Sequence, residues 1–148
     1  MKVPQTTIYA KSSGVEIAPH EKRGAGRPVE GRIALRFFRM ESGASSIRFV
    51  AEPAEGFELF RKIHKVFRDA GKETLIHRFE GSEGEVSTRL TIERYERGGK
   101  PGFAFAIQRG KEEINVPTNA ERFLYAGEFL RHLSLAQAWV EPEKTEGQ

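Results

Sequence analysis

Arginines recur at alternate positions of extended-looking segments. Arg32 and Arg36 stand in GRIALRFFRM, Arg48 in SIRFVAE, Arg78 in ETLIHRFE and Arg89 in EVSTRLTIERYE. A guanidinium is permanently charged and offers its N–H donors as a planar fork, a geometry that matches phosphate oxygens. Phe38 and Tyr95 accompany these cations as flat surfaces, and an exposed base stacked on such a ring gains about 1–3 kcal/mol. A further stretch, RGGKPGFAFAIQR, supplies the basic turn Arg97–Lys100, then Phe103 and Phe105 alternating with Ala104 and Ala106, and Arg109 at its end. Cations, rings and small residues together suit binding of a polyanion with exposed flat groups.

The residues needed for bond-making chemistry are poorly represented. Two-metal hydrolysis or transfer favours clustered carboxylates, yet Asp69 is the one aspartate among 148 residues. Cysteine is absent, which excludes disulfides, thiol nucleophiles and thiolate metal sites. His20, His64, His77 and His132 lack metal-ligand spacing and read as packed or surface histidines. GAGRPVEG has glycines without the preceding strand or the spacing of a dinucleotide loop, and no Walker lysine follows a glycine run. Serines in KSSG and SGASS fit turns. Twenty glutamates give no means of choosing an acid–base pair. The expectation is a protein with no catalytic residues, no metal and no cofactor.

The elements that would position the arginines follow from periodicity. Strands are expected at Arg32–Met40 and Ser46–Glu52, then a helix from about Ala54 to Ala70, with Pro53 in its first turn and Gly71 as its stop. Phe57, Leu59, Phe60, Ile63, Val66 and Phe67 form the apolar stripe of that helix. Three strands follow, with KEEINVP pairing back on the last of them, and a closing helix or broken helix pair begins at a capping box of Thr118 and Glu121. No internal repeat is visible. Strands with flanking helices predict an α+β fold: an antiparallel sheet of about four to five strands backed by helices on one face, and not an OB-fold. Such a sheet leaves its other face open.

Side chains alternate across a strand, so each strand sorts into two faces. Ile33, Leu35, Phe37, Ile47, Phe49, Leu75, His77, Phe79, Val86, Leu90, Ile92, Phe103, Phe105 and Ile107 fall on one side. The other gathers Arg32, Arg36, Phe38, Arg48, Arg78, Arg89 and Tyr95, with Ala34, Ala104 and Ala106 leaving a shallow trough between them. The basic turn Arg97–Lys100 and Arg109 extend the track at its ends. Two other readings use the same residues. Glu80 and Glu93 share the open face, and surface Arg–Glu pairing is common in thermophilic sheets. Alternatively, Phe103 and Phe105 line an apolar cleft while the alanines face a close-packed helix.

Composition frames these readings. Hydrophobic residues make up 38% and charged residues 30%, the signature of a soluble globular chain, and the net charge is +3. No apolar run reaches the roughly 18 residues of a membrane span and no signal-peptide core is present, so no membrane partner and a cytoplasmic, nucleoid-associated location are expected. Fifteen arginines, twenty glutamates, two asparagines and no cysteine suit a hyperthermophile. Three regions are expected: residues 1–30 as a flexible basic, Gly-rich arm, residues 31–140 as the ordered domain, and residues 141–148 as an acidic tail.

Within the ordered region, GRIALRFFRM and ERGGKPGFAFAIQRGKEEINVPTNAERFLYAGEFLRHLSLAQAWVE resemble the ThermoDBP family, single-stranded DNA-binding proteins of hyperthermophilic archaea that lack the usual OB-fold protein. The resemblance spans roughly Gly31 to Glu141. It implies sequence-tolerant binding of single-stranded DNA, with RNA as an alternative partner, through an apolar cleft bordered by basic residues on a non-OB α+β fold. It also implies a role in replication and repair. Family members are expected to dimerise through a C-terminal heptad zipper, and no such repeat follows Val140, so a homodimer is expected only if a zipper lies beyond Gln148. A protein-interaction domain with an Arg/Glu surface remains the alternative function.

Overall fold

The computed structural model describes residues 1–41 and 43–142. The elements run β1 (Thr6–Tyr9), β2 (Ser13–Lys22), β3 (Glu30–Arg39), β4 (Ile47–Ala51), α1 (Pro53–Asp69), β5 (Gly71–Gly81), β6 (Gly84–Arg97), β7 (Lys100–Arg109), β8 (Glu112–Thr118) and α2 (Ala120–Ala136). Every strand pairing is antiparallel, and the fold is α+β as the pattern predicts. The strands divide, however, into two sheets of four, in the orders β1-β2-β3-β4 and β5-β6-β7-β8.

The order of elements reveals a repeat that the sequence hides: four antiparallel strands and a 17-residue helix, twice. Each helix starts one residue after its cap, and each cap directly follows the last strand of its unit, so positions match by counting back from Glu52 and Asn119. Ile33↔Ala51, Leu35↔Phe49 and Phe37↔Ile47 in the first unit thereby correspond to Phe103↔Thr118, Phe105↔Val116 and Ile107↔Ile114 in the second. The inward faces of both units fuse into one core with Leu59, Ile63, Phe123, Ala126 and Leu130 of the helices. α1 and α2 run antiparallel at close range. A side chain on Gly56 would meet Ile33, Ser134 and the Leu130 carbonyl, and one on Gly127 would press on Ile63. The open faces are therefore the outer ones, with both helices behind.

The structure departs from the expected elements in several places. Residues 1–30 are not a free arm: β1 and β2 occupy 6–22, and Ile8, Val15 and Ile17 lie in the core. The exposed stretches of that region include residues 1–5 and residues 21–27 around the β2–β3 hairpin. The cap of α2 is Asn119, whose side-chain oxygen accepts from the Arg122 N–H at 2.8 Å, and not Thr118. The reciprocal carboxylate contact occurs on α1, where Glu55 accepts from the Glu52 N–H at 2.9 Å. The buried stripe of α1 is Gly56, Leu59, Ile63 and Val66, which turns Phe57 outward. Phe79, assigned to the inner set, is exposed near the end of β5. Of the expected acidic tail, Glu141 and Pro142 are described, and residues 143–148 lie outside the described residues. Val140 bridges to Glu30 and the Glu141 N–H donates to the Val29 carbonyl at 2.8 Å, so the segment after α2 is tied to the start of β3.

Candidate nucleic-acid interface

Antiparallel register lines up side chains in rows across each sheet. On the outer face of the first sheet, Tyr9, Gly14 and Phe38 form one row. The two rings meet edge to face, centroids 6.1 Å apart, and the Phe38 ring covers Gly14, where a methyl group would collide with it. Tyr9 is 65% exposed. The next row is Thr7, Glu16, Arg36 and Arg48. Arg36 donates to Glu16 at 3.0 Å and lies 4.9 Å from the centroid of Phe38. Arg48 is exposed and has no ion-pair partner among the described residues. Ala18, Ala34 and Val50 follow, and then His20 and Arg32. Arg36 and Arg48 are directly opposed across β3 and β4, and like charges in that position destabilise a sheet. The proton affinity of His20 is lowered, chiefly by burial and then by the positive charge of Arg48, with Glu21 opposing.

The outer face of the second sheet is built differently. Its rows are Lys72–Glu93–Ala104–Pro117, Thr74–Thr91–Ala106–Asn115 and Ile76–Arg89–Gln108–Glu113. Ala104 and Ala106 floor a trough of about 350 Å³ between walls of polar side chains. The bareness of Phe-Ala-Phe-Ala thus has a structural outcome: the phenylalanines fill the core and the alanines leave the hollow. They face neither helix. At one end Tyr95 covers Gly102 as Phe38 covers Gly14. Lys72 reaches Glu93 at 3.5 Å. Arg97 and Lys100 are exposed at the β6–β7 turn, where Gly98 and Gly99 take φ of 59° and 77°, values that few other residues adopt.

The expected site residues therefore do not form one surface. Arg32, Arg36, Phe38 and Arg48 belong to the first sheet, and Arg78, Arg89, Tyr95, Arg97 and Lys100 to the second. Arg32 is held by Glu30 at 2.9 Å and by the Gly31 carbonyl at 2.8 Å, and Arg78 lies 3.6 Å from Glu85. These two fit the surface-pairing reading. Arg109 is a bracket between sheets: it donates to the Thr88 hydroxyl and to the Arg48 carbonyl, each at 2.9 Å. Phe103 and Phe105, each 1% exposed, pack on Phe123 and cannot touch a ligand without opening the core. Tyr9 escaped the sequence reading because β1 has four residues and lies in a segment without sustained periodicity. Its one signal is the alternation of Thr7 and Tyr9 with Ile8.

No protein-family profile matches the chain, and no curated protein sequence does. Solved structures do. The plant transcriptional regulator PBF-2 matches with a TM-score of 0.61 at 14% identity, over 93% of this chain and 83% of that one. WHY1 from Arabidopsis thaliana matches with the same score and identity, over 93% of this chain and 92% of its own. The chain shares their fold. The likeness extends over both four-strand units, since it takes in nearly the whole chain.

Proposed function

We propose that the protein binds single-stranded nucleic acid without catalysing a reaction, using the outer face of the first sheet, and that it shields exposed strands during replication and repair. The observation that carries this reading is the opposition of Arg36 and Arg48 beside the Tyr9–Phe38 pair. A like-charge pair is a cost to the fold, and a polyanion removes it. The adjacent rings, Phe38 lying over Gly14 and Tyr9 edge-on to it, offer the bases a surface that accepts any of them, because every base has a π-face. The role of PBF-2 in transcriptional regulation and the resemblance to the ThermoDBP family support the same reading.

The test is an anisotropy titration with a labelled single strand of about 20 nucleotides, the matching duplex and the matching RNA, each at two salt concentrations. Preference for the single DNA strand is expected, with log affinity falling by about 0.7 per phosphate contact for each unit of log salt. Equal affinity for the RNA makes the protein a general single-strand binder. Equal weakness on all three ligands refutes the proposal and leaves the arginines as surface-pairing residues.

A further inference from the structure

We infer that the trough of the second sheet is a base-reading site, selective for guanine within a bound single strand. This rests on the single-strand reading above but concerns a different surface and different chemistry. The trough, about 350 Å³, lies at the small end of the range for ligand pockets, about 300–1,000 Å³. Arg89, Gln108, Asn115, Thr74 and Thr91 make no side-chain hydrogen bond among the described residues, and Asn115 engages the rest of the protein through its backbone carbonyl. In the equivalent row of the first sheet, by contrast, Arg36 is already engaged by Glu16. Five unpaired hydrogen-bonding groups around one alanine-floored hollow are arranged for something placed between them.

The order of charges says what fits. Register places Arg89 opposite Gln108, and Gln108 opposite Glu113, so a fork of donors and a carboxylate stand two strands apart with an amide between them. At about 4.7–4.9 Å per strand that is about 10 Å between backbones, closed down by two long side chains. Lys72 already engages Glu93 at the other end, and the lining charges otherwise balance, so the hollow favours a neutral polar ring over a phosphate. Guanine alone among the standard bases offers paired acceptors, O6 and N7, on one edge and paired donors, N1–H and N2–H₂, on another. Arginine takes the first pair bidentately, and a carboxylate takes the second. The flat methyl floor of Ala104 and Ala106 supports the ring, and Asn115 and Gln108 reach its remaining polar atoms.

The experiment compares an all-thymine strand of about 20 nucleotides with the same strand carrying one central guanine, hypoxanthine or 7-deazaguanine. The guanine strand is expected to bind about tenfold tighter than the all-thymine strand, within the range a bidentate contact supplies. Hypoxanthine, lacking N2, and 7-deazaguanine, lacking N7, should each lose most of that preference. In Arg89→Ala and in Glu113→Gln the guanine-to-thymine ratio should fall to about twofold or less, a ratio that cancels any general loss of affinity. Melting curves matching the parent protein confirm that the surface changes leave the fold intact. Binding of all strands within about twofold of one another, or a guanine preference that survives both variants, overturns the inference while the single-strand reading stands. Failure to bind any strand overturns both.

Discussion

Replacing Arg48 with glutamate separates stability from function in opposite directions. In the native row Glu16 serves Arg36, and Arg48 stands opposite Arg36 with no partner of its own among the described residues. Arg48→Glu turns the row into an alternation of negative, positive and negative charge. Cross-strand pairs are worth about 0.2–1 kcal/mol, and at this exposed position the removal of repulsion plus the new attraction comes to about 0.5–1 kcal/mol. In a chain of this size that raises Tm by about 1–4 °C in low salt, and the gain shrinks as salt screens the pair. Arg48→Gln, which removes repulsion without adding attraction, should fall between the two. Nucleic-acid affinity should move the other way, dropping about tenfold with Glu, and the salt slope should decrease by about 0.7 as one phosphate contact is lost. His20 supplies an internal check: the positive charge of Arg48 is one cause of its lowered proton affinity, so its NMR titration should shift upward in Arg48→Glu. Thermal melts, anisotropy and that titration are each direct measurements. A variant that melts lower than the parent, or binds single strands as well as the parent does, refutes the claim that this arginine is kept for a ligand at the expense of the sheet.

Three further outcomes follow from single sites. Tyr9→Ala removes a ring that is mostly exposed and contributes little to the core, so it should weaken single-strand binding by about 1–3 kcal/mol in the same titration while leaving Tm nearly unchanged. Ala70, between α1 and β5, adopts φ 63° and ψ −176°, a region close to glycine-only. Ala70→Gly should stabilise the protein by about 1 kcal/mol against denaturant, the relief of strain exceeding the entropy cost of glycine. His20 binds its proton less readily in the folded protein than at the ordinary value of 6.5, so the unfolded chain takes up the proton first as pH falls. Stability should therefore be full above about pH 6.5 and decline as pH falls through the folded-state value. In His20→Gln, denaturant midpoints between pH 7 and pH 5 should vary less.

Strand faces were legible because burial on one side enforces a period of two. Ile33, Leu35, Phe37, Ile47, Phe49, Leu90, Ile92, Phe103, Phe105 and Ile107 all point inward as alternation demands. Sheet membership was not, since it depends on which edges remain unpaired once a helix is inserted between β4 and β5, and no strand carries that information by itself. The five arginines thus sorted correctly to outer faces but were assigned to one surface where there are two. The N-terminal strands were hidden because β2 contains Gly14 and Pro19, both weak strand formers, and takes its place as an inner strand through tertiary pairing. At α2, Thr118 and Asn119 both qualify as caps, and the choice went to Asn119 because Thr118 is the last residue of β8.

The matched rows of the two units show what the repeated fold has been used for. Thr7, Glu16, Arg36 and Arg48 in the first sheet occupy the places of Thr74, Thr91, Ala106 and Asn115 in the second. Gly14 and Phe38 occupy those of Arg89 and Gln108. The inward residues stay apolar in both units, since both must fill one core. Outward residues are free of that demand, and they differ: the first sheet sets the Arg36–Arg48 opposition beside the Tyr9–Phe38 rings, and the second sets Arg89 and Glu113 at the edge of an alanine-floored hollow. A flat, cationic, aromatic face holds a strand whatever its sequence, and a recessed face lined with unpaired donors and acceptors distinguishes one base from another. A strand touching both would be gripped by the first sheet and read by the second. Affinity and base preference should then respond to different substitutions, Arg48→Glu changing the one and Glu113→Gln the other.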